Sequence, residues 1–338
     1  MTTTSQPRKT PEPPPSEPAS GGTGPALLAR LRGLGGPVVG LVVMIVAMSF
    51  LSPFFLTSRN LNNIISQVSD IGIMAAGATL VILIGGIDLS VAANLALTMM
   101  FSAWLFRTVE VPWPVAMVLG LVLGMAVGLL NGILTSYGKV QAFAATLATM
   151  SAAAGMALFI TKGNTINGFP EWFGVLTDDV FGSVPVQGIL LVAIYLLIGA
   201  WLRYRPGGRA LYAIGGNEEA ARLSGLPVRW AKTRVYMIAG GLAAVAGWVN
   251  ISLLDSAQPT AGAGYLLNVI AVVVIGGASL AGGVGSMGGT FIGLLIIGVL
   301  NNGLSLLHVN PNLQQVVIGA VILAAVLTDR VGNRLRAA

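Results

Sequence analysis

Two carboxylates stand where a carboxylate is costly. Asp88, in Gly85-Gly86-Ile87-Asp88-Leu89-Ser90, lies between two long apolar runs, and Asp70 lies inside one of them. On insertion scales an aspartate at the centre of a membrane helix costs about 2.5 to 3.5 kcal/mol, so each needs a compensating role. A proton or cation site is one such role, and contact with a polar solute is another. A third is local: the two glycines end one helix, and the side chain of Asp88 or of Ser90 caps the next. Its neighbours favour the capping role for Asp88; for Asp70 the alternatives stay open. Carboxamides form a second group, with Asn94, Asn131, Asn250, Asn268, Asn301 and Asn302 inside or beside apolar runs. An amide donates and accepts, which suits the hydroxyls of a sugar and equally suits hydrogen bonds between helices. Asp88, Asn94, Asn131, Gln258, Asn268, Asn301 and Asn302 are the candidate path or gate residues.

Other chemistries are excluded by what is missing. The chain has no cysteine and one histidine, His308, near a helix end, so no disulfide framework, metal cluster or Ser-His-Asp set is expected. No G-x-x-x-x-G-K-[ST] occurs, and the glycine-rich run Gly282–Gly289 has no lysine to reach a phosphate. The expectation is a chain that is not an enzyme, takes no cofactor or metal, and draws its energy from another protein.

One polar stretch has a helix of its own. Gly215 and Gly216 break the preceding structure, Asn217 is a favoured N-cap, and Glu218 and Glu219 place negative charge in the first turn. Ala220, Ala221, Arg222 and Leu223 continue the helix, Gly225 suits a left-handed C-terminal position, and Pro227 forbids continuation. About two turns long, it is marginal by itself and needs a surface to pack on.

The elements that must hold these residues are membrane helices. With 55% hydrophobic and 9% charged residues among 338, the chain carries far less charge than the roughly 25% of a soluble domain. Apolar runs near the length that crosses about 30 Å of hydrocarbon recur at 37–56, 62–85, 89–106, 113–135, 140–161, 184–203, 234–254, 266–281, 287–306 and 312–328. The fold class is all-α: a polytopic membrane protein of about ten transmembrane helices. The glycines of the eighth and ninth runs allow half-helices or a re-entrant pair. Ten crossings place both termini in the cytoplasm, and only Arg59, Arg107 and Lys162 of the 18 basic residues then fall in external loops. The net charge of +6 thereby reads as positive-inside bias, with no nucleic-acid partner. Trp104 and Trp113 flank an external turn and Trp201 closes a helix on the inner side, at headgroup level. Residues 1–36, rich in proline, serine and glycine, read as a disordered cytoplasmic tail, 37–329 as the membrane domain, about 204–233 as its main cytoplasmic loop, and 330–338 as a short basic tail. The loop from Lys162 to Ser183 is external and mildly acidic, and either packs over the mouth or is solvated. Gly120, Gly124 and Gly128 read as a close-packing face, and Ile84-Gly85-Gly86 echoes Ile275-Gly276-Gly277 as a faint internal repeat.

Glu219-Ala220-Ala221, three residues and Gly225 resembles the EAA-x3-G pattern of ATP-binding-cassette (ABC) importer permeases. GGNEEAARLSG is similar to its form in the ribose-type, simple-sugar members. Gly85–Ser90 and Ser256–Ser286 agree with the same family, in the same order. The chain departs from the wider pattern after Gly225, carrying Met237 and Ile238 where Leu-Pro is usual. The resemblance implies the ABC importer permease fold in a bacterial cytoplasmic (inner) membrane, multi-pass in the lipid bilayer. It implies a permease subunit that forms the path for a ribose-like pentose or hexose. A cytoplasmic ABC ATPase would receive the helix formed by Gly216, Asn217, Glu218, Glu219, Ala220, Ala221, Arg222, Leu223 and Gly225. A second permease copy or paralogue and an external, periplasmic sugar-binding protein complete the implied assembly. The alternative reading is a proton- or cation-coupled secondary transporter using Asp88 or Asp70, which has no need of a docking helix.

Overall fold

The computed structural model describes residues 24–180, 184–321 and 323. It is built of helices α1 (Gly24–Leu51), α2 (Ser58–Leu83), α3 (Val91–Arg107), α4 (Trp113–Ser136), α5 (Ala142–Thr161), α6 (Val186–Tyr204), α7 (Pro206–Gly216), α8 (Glu218–Leu223), α9 (Val228–Leu254), α10 (Tyr265–Ile275) and α11 (Met287–Leu306). Residues 311–321 are also helical. Six of these helices, α2, α4, α5, α6, α9 and α11, are long and apolar enough to cross a membrane. Residues 36–51 of α1, together with α3 and α10, are shorter apolar helices.

Apolar sequence alone does not distinguish a lipid-facing helix from a central one; packing does. The most hydrophobic stretch of α2 is 83% buried, against 28% for those of α4, α5 and α6. α2 is therefore the axis of the bundle, with α9 laid along it, α4 packed directly on α9, and α3 against α9, α4 and α5. α4–α6 turn large apolar side chains outward, among them Val118, Val122, Phe143, Phe159, Leu196 and Leu197. The closest helix pair, α4 on α9, rests on the glycine spacing read from the sequence: a side chain at Gly124 would meet Gly240 O at 2.6 Å, and one at Gly128 would overlap the Tyr236 carbonyl.

Several boundaries differ from expectation. α1 begins at Gly24, ahead of the boundary expected at residue 37. The expected tenth run, 312–328, extends beyond the described residues, as do residues 1–23 and the basic tail 330–338. The eighth run is shortened: α10 has 11 residues, about 16 Å at 1.5 Å per residue, and the chain leaves the helix at Gly276 and Gly277. The residues before it are irregular but packed, with Ser256, Ala257 and Pro259 buried. Gly262 presses on the Ala92 carbonyl where a side chain has no room. Backbone of this kind is tolerated at membrane depth only when buried in protein or lining a wet cavity.

Two short antiparallel ladders add the only strands among the described residues: Ile166–Asn167 with Ser256–Ala257, and Asp179–Val180 with Val184–Pro185. The first ties the loop after α5 to the turn after α9. That loop is packed: Phe173 is buried, and its ring and that of Phe169 lie 5.0 and 4.9 Å from Trp113. Trp113 is consequently buried beneath aromatic side chains, and is not the headgroup-level ring expected from its position.

Candidate functional site

The polar segment between α6 and α9 holds two helices where one was expected. Pro206 occupies the first turn of α7, where its missing N–H costs nothing, and Leu211 and Ile214, three residues apart, are buried. Gly215 and Gly216 do not break this helix; they complete it. Gly215 is there for proximity, since a side chain on it would overlap Leu83 O and Gly283 N. Those two atoms are bonded to each other, Gly283 N–H donating to the Leu83 carbonyl at 2.9 Å, and Tyr212 Oη donates to Gly285 O at 3.1 Å. α7 thus rests on the C-terminal end of α2 and on the turn between α10 and α11. These are the two glycine loops that echo one another in sequence.

α8 follows without a spacer. Asn217, extended at φ −158°, ends α7 and caps α8, its Oδ1 accepting the Ala220 N–H at 2.9 Å. At the other end Gly225 takes φ +81°. Its N–H donates to Arg222 O at 3.0 Å and the Leu226 N–H donates to Ala221 O at 3.1 Å, the paired bonds of a Schellman motif. The start and stop signals read from the sequence are therefore the ones used. Two contacts hold this six-residue helix against the protein: Ala221 is buried, and Lys232 of α9 donates to Glu218 at 2.7 Å. The opposite face is free. Glu219 and Arg222 pair with each other one turn apart, and that hydrogen bond and positive charge hold the Glu219 carboxyl below the usual carboxylate range. Leu223 stands 75% exposed beside them. An ion pair and a bare leucine thus stand side by side on the exposed face of α8.

The candidate path residues divide. Asp88 Oδ1 accepts the Ser90 N–H at 2.8 Å and the Ser90 hydroxyl at 2.6 Å, an Asx turn that leads into α3; the N-cap itself is Ser90, which makes no side-chain cap bond, so the expected capping by either side chain is not what the structure shows. Ser90 Oγ in turn accepts from Asn131 Nδ2 at 2.8 Å, and Asn131 Oδ1 accepts from Thr149 Oγ1 at 2.7 Å. This chain of bonds stitches α3, α4 and α5 together. Asn94 donates to the carbonyls of Gly124 and Gly240, joining α3 to α4 and α9. Asn302 and Asn60 bond each other reciprocally at 2.9 Å, joining α11 to α2. Gln258 is exposed and reaches only Ser256 Oγ at 3.3 Å, while Asn268 and Asn301 are half-buried. A further cluster went unrecognised: Asn250 Nδ2 donates to Asp70 Oδ2 at 3.0 Å and to Tyr265 Oη at 3.2 Å, binding α9, α2 and α10. No local signal announces it, because its members are far apart in the chain. Among the described residues no group of acidic residues or histidine is placed to hold a metal ion.

A family model described as branched-chain amino acid transport system / permease component matches residues 60–326. The chain is 48% identical over 297 residues to the ribose import permease protein of Bacillus subtilis (strain 168), covering 87% of this chain and 92% of that one. It is 46% identical over 300 residues to the ribose import permease protein of Escherichia coli (strain K12), covering 86% and 92%. To the L-arabinose transport system permease protein of the same strain it is 36% identical over 295 residues, covering 87% and 90%. No solved structure matches it.

Proposed function

The chain belongs to the permease-component family of the branched-chain amino acid transport systems, and we propose that it is the membrane permease subunit of an ATP-driven importer whose cargo is a simple sugar of the ribose type. The observation that carries this reading is the 48% and 46% identity to two ribose import permeases, sustained over 87% and 86% of the chain. The family description names amino acids, but the named relatives at these identities carry ribose, and the L-arabinose permease is more distant at 36%. The resemblance carried by Glu219–Gly225, Gly85–Ser90 and Ser256–Ser286 therefore holds.

In this reading the bundle crosses a bacterial inner membrane about ten times, the short α10 crossing together with the irregular, partly buried segment before it. α3, α10 and the helix from residue 311 supplement the longer spans, and both termini and α7–α8 lie in the cytoplasm. Arg203, Arg205, Arg209, Arg222, Arg229, Lys232 and Arg234 all cluster at the α6–α9 connection, which supports that orientation. The exposed face of α8 receives a separate cytoplasmic ATPase, an external binding protein delivers the sugar, and a second permease subunit completes the path. Closure of the ATPase moves α8; α7 moves with it and pushes on the end of α2 and on the α10–α11 turn. Since α2 is the axis of the bundle, a small tilt there re-sorts which side is open. The chain itself performs no bond chemistry. Asp88 is bonded within the turn before α3 and Asp70 is bonded to Asn250, so each carboxylate has a structural partner inside the protein.

The test is co-purification of the ATPase with Glu219→Lys and Gly225→Val permeases, alongside sugar-stimulated ATP hydrolysis in vesicles. Both variants are expected to insert normally and to lose ATPase association or coupling; wild-type behaviour in both removes α8 from the mechanism. Uptake that stops on ATP depletion but survives an uncoupler separates this reading from proton coupling. The chain has no cysteine, so single cysteines at Asn164 and Ser224 report the orientation directly. They should label from opposite sides, Asn164 from outside.

A further inference from the structure

Between the end of α6, the length of α7 and the start of α9 runs an apolar groove of about 290 Å³. Leu211 and Ile214 of α7 form its floor and Ile238 of α9 its far wall. Its rim has a different character. Trp201 is half-buried, Trp230 is 43% exposed, and the Arg234 guanidinium lies over the Trp230 ring at 4.5 Å. Indoles at helix ends mark the level where hydrocarbon gives way to headgroups. A guanidinium held on an indole face keeps its outward N–H groups available to an anion.

We propose that this groove is a binding site for an anionic phospholipid, with an acyl chain along the accessible faces of Trp201, Ala210, Leu226 and Ile238 and the phosphate against Arg234. The apolar walls exclude a free inorganic anion as the preferred occupant, and the charge at the rim selects among lipids. The acids closest in sequence, Glu218 and Glu219, are already paired with Lys232 and Arg222. Among the described residues Arg203, Arg205, Arg209, Arg229 and Arg234 have no carboxylate partner within salt-bridge distance. A cluster of uncompensated cations around a groove at interface depth is the arrangement that attracts acidic headgroups over zwitterionic ones. Leu226 and Pro227, which follow directly on α8, also line the groove. Occupancy therefore supports the angle at which α8 projects, and the site lies where a lipid can tune coupling.

The experiment is native mass spectrometry of the assembled permease–ATPase complex titrated with phosphatidylglycerol and, separately, phosphatidylcholine. Wild-type complex is expected to retain phosphatidylglycerol preferentially. Arg234→Gln should weaken that retention about tenfold and leave phosphatidylcholine unchanged, whereas Ala210→Leu, which fills the groove, should weaken both. Equal retention of phosphatidylglycerol by wild type and both variants overturns the proposal. So does loss of the ATPase or of a second permease copy from Arg234→Gln with lipid counts unchanged, which would make the groove a protein interface. A second readout does not depend on those variants: brominated phosphatidylglycerol should quench wild-type tryptophan fluorescence more than brominated phosphatidylcholine, and the difference should shrink in Trp230→Phe and disappear when Trp201→Phe is added. Equal quenching by the two lipids in the wild type also overturns it.

Discussion

The contact between α7 and the core can be broken with one methyl group. In Gly215→Ala the new Cβ would overlap Leu83 O and Gly283 N and would stand 3.0 Å from the Leu83 carbonyl carbon. The first two atoms are the acceptor and donor of a 2.9 Å hydrogen bond, so neither can withdraw without breaking it. Overpacking of this kind costs about 1 to 3 kcal/mol, and a buried donor and acceptor left unpaired cost about 1 to 3 more. Alanine gains about 1 kcal/mol over glycine as a helix former, which reduces the penalty without reversing it. The balance, about 1 to 5 kcal/mol, lowers the equilibrium constant for docking α7 by about fivefold or more, at about 1.4 kcal/mol per factor of ten. The exposed face of α8 is unaltered, so the ATPase should still co-purify while sugar uptake into vesicles falls. Gly216→Ala is the control, because no atom lies within 4 Å of a side chain there. It should transport like wild type. Wild-type uptake by Gly215→Ala, or equal losses in the two variants, would refute the idea that α7 transmits force through this contact.

Three further outcomes follow from the same geometry. Gly225 has φ +81° and open space around it, so Gly225→Ala should cost about 1 kcal/mol from backbone strain alone. Gly225→Asn should recover part of that, read as hydrogen-exchange protection of α8. Asp88→Asn keeps an acceptor for the Ser90 N–H and should preserve stability and most uptake. Asp88→Leu removes the acceptor for the Ser90 N–H and should lose about 1 to 3 kcal/mol in thermal unfolding; a stable but inactive Asp88→Asn would instead assign the charge a transport role. A double-mutant cycle on Asn60 and Asn302 with leucine should give a coupling energy of about 0.6 to 1.7 kcal/mol, and zero coupling would mean that their reciprocal bonds do not join α2 to α11.

What is local in this protein was legible in its residue order. Asn217, Gly225 and Pro227 bracket α8 because capping and left-handed backbone depend on neighbours a few positions away. The spacing of Gly120, Gly124 and Gly128 marks a close helix contact because period and side-chain size are both written in sequence. Long apolar runs likewise require membrane helices, since lipid cannot satisfy an unpaired backbone. Partners and depth were another matter. α7 begins with Pro206, Gly207 and Gly208 and has poor propensity; it forms because Leu211 and Ile214 find a buried surface and Gly215 fits against α2. α10 stops after 11 residues, where Gly277 takes φ +83° and Gly276 packs on Gly289 and Thr290 with no room for a side chain. Asn94, Asn131 and Asn302 are as suited to a sugar as to another helix, and only their positions in the bundle commit them to helices. Asp70 meets Asn250 across 180 residues of chain. An amide or carboxylate carries the same bonding capacity in any sequence, and only the packed bundle decides what lies within 3 Å of it.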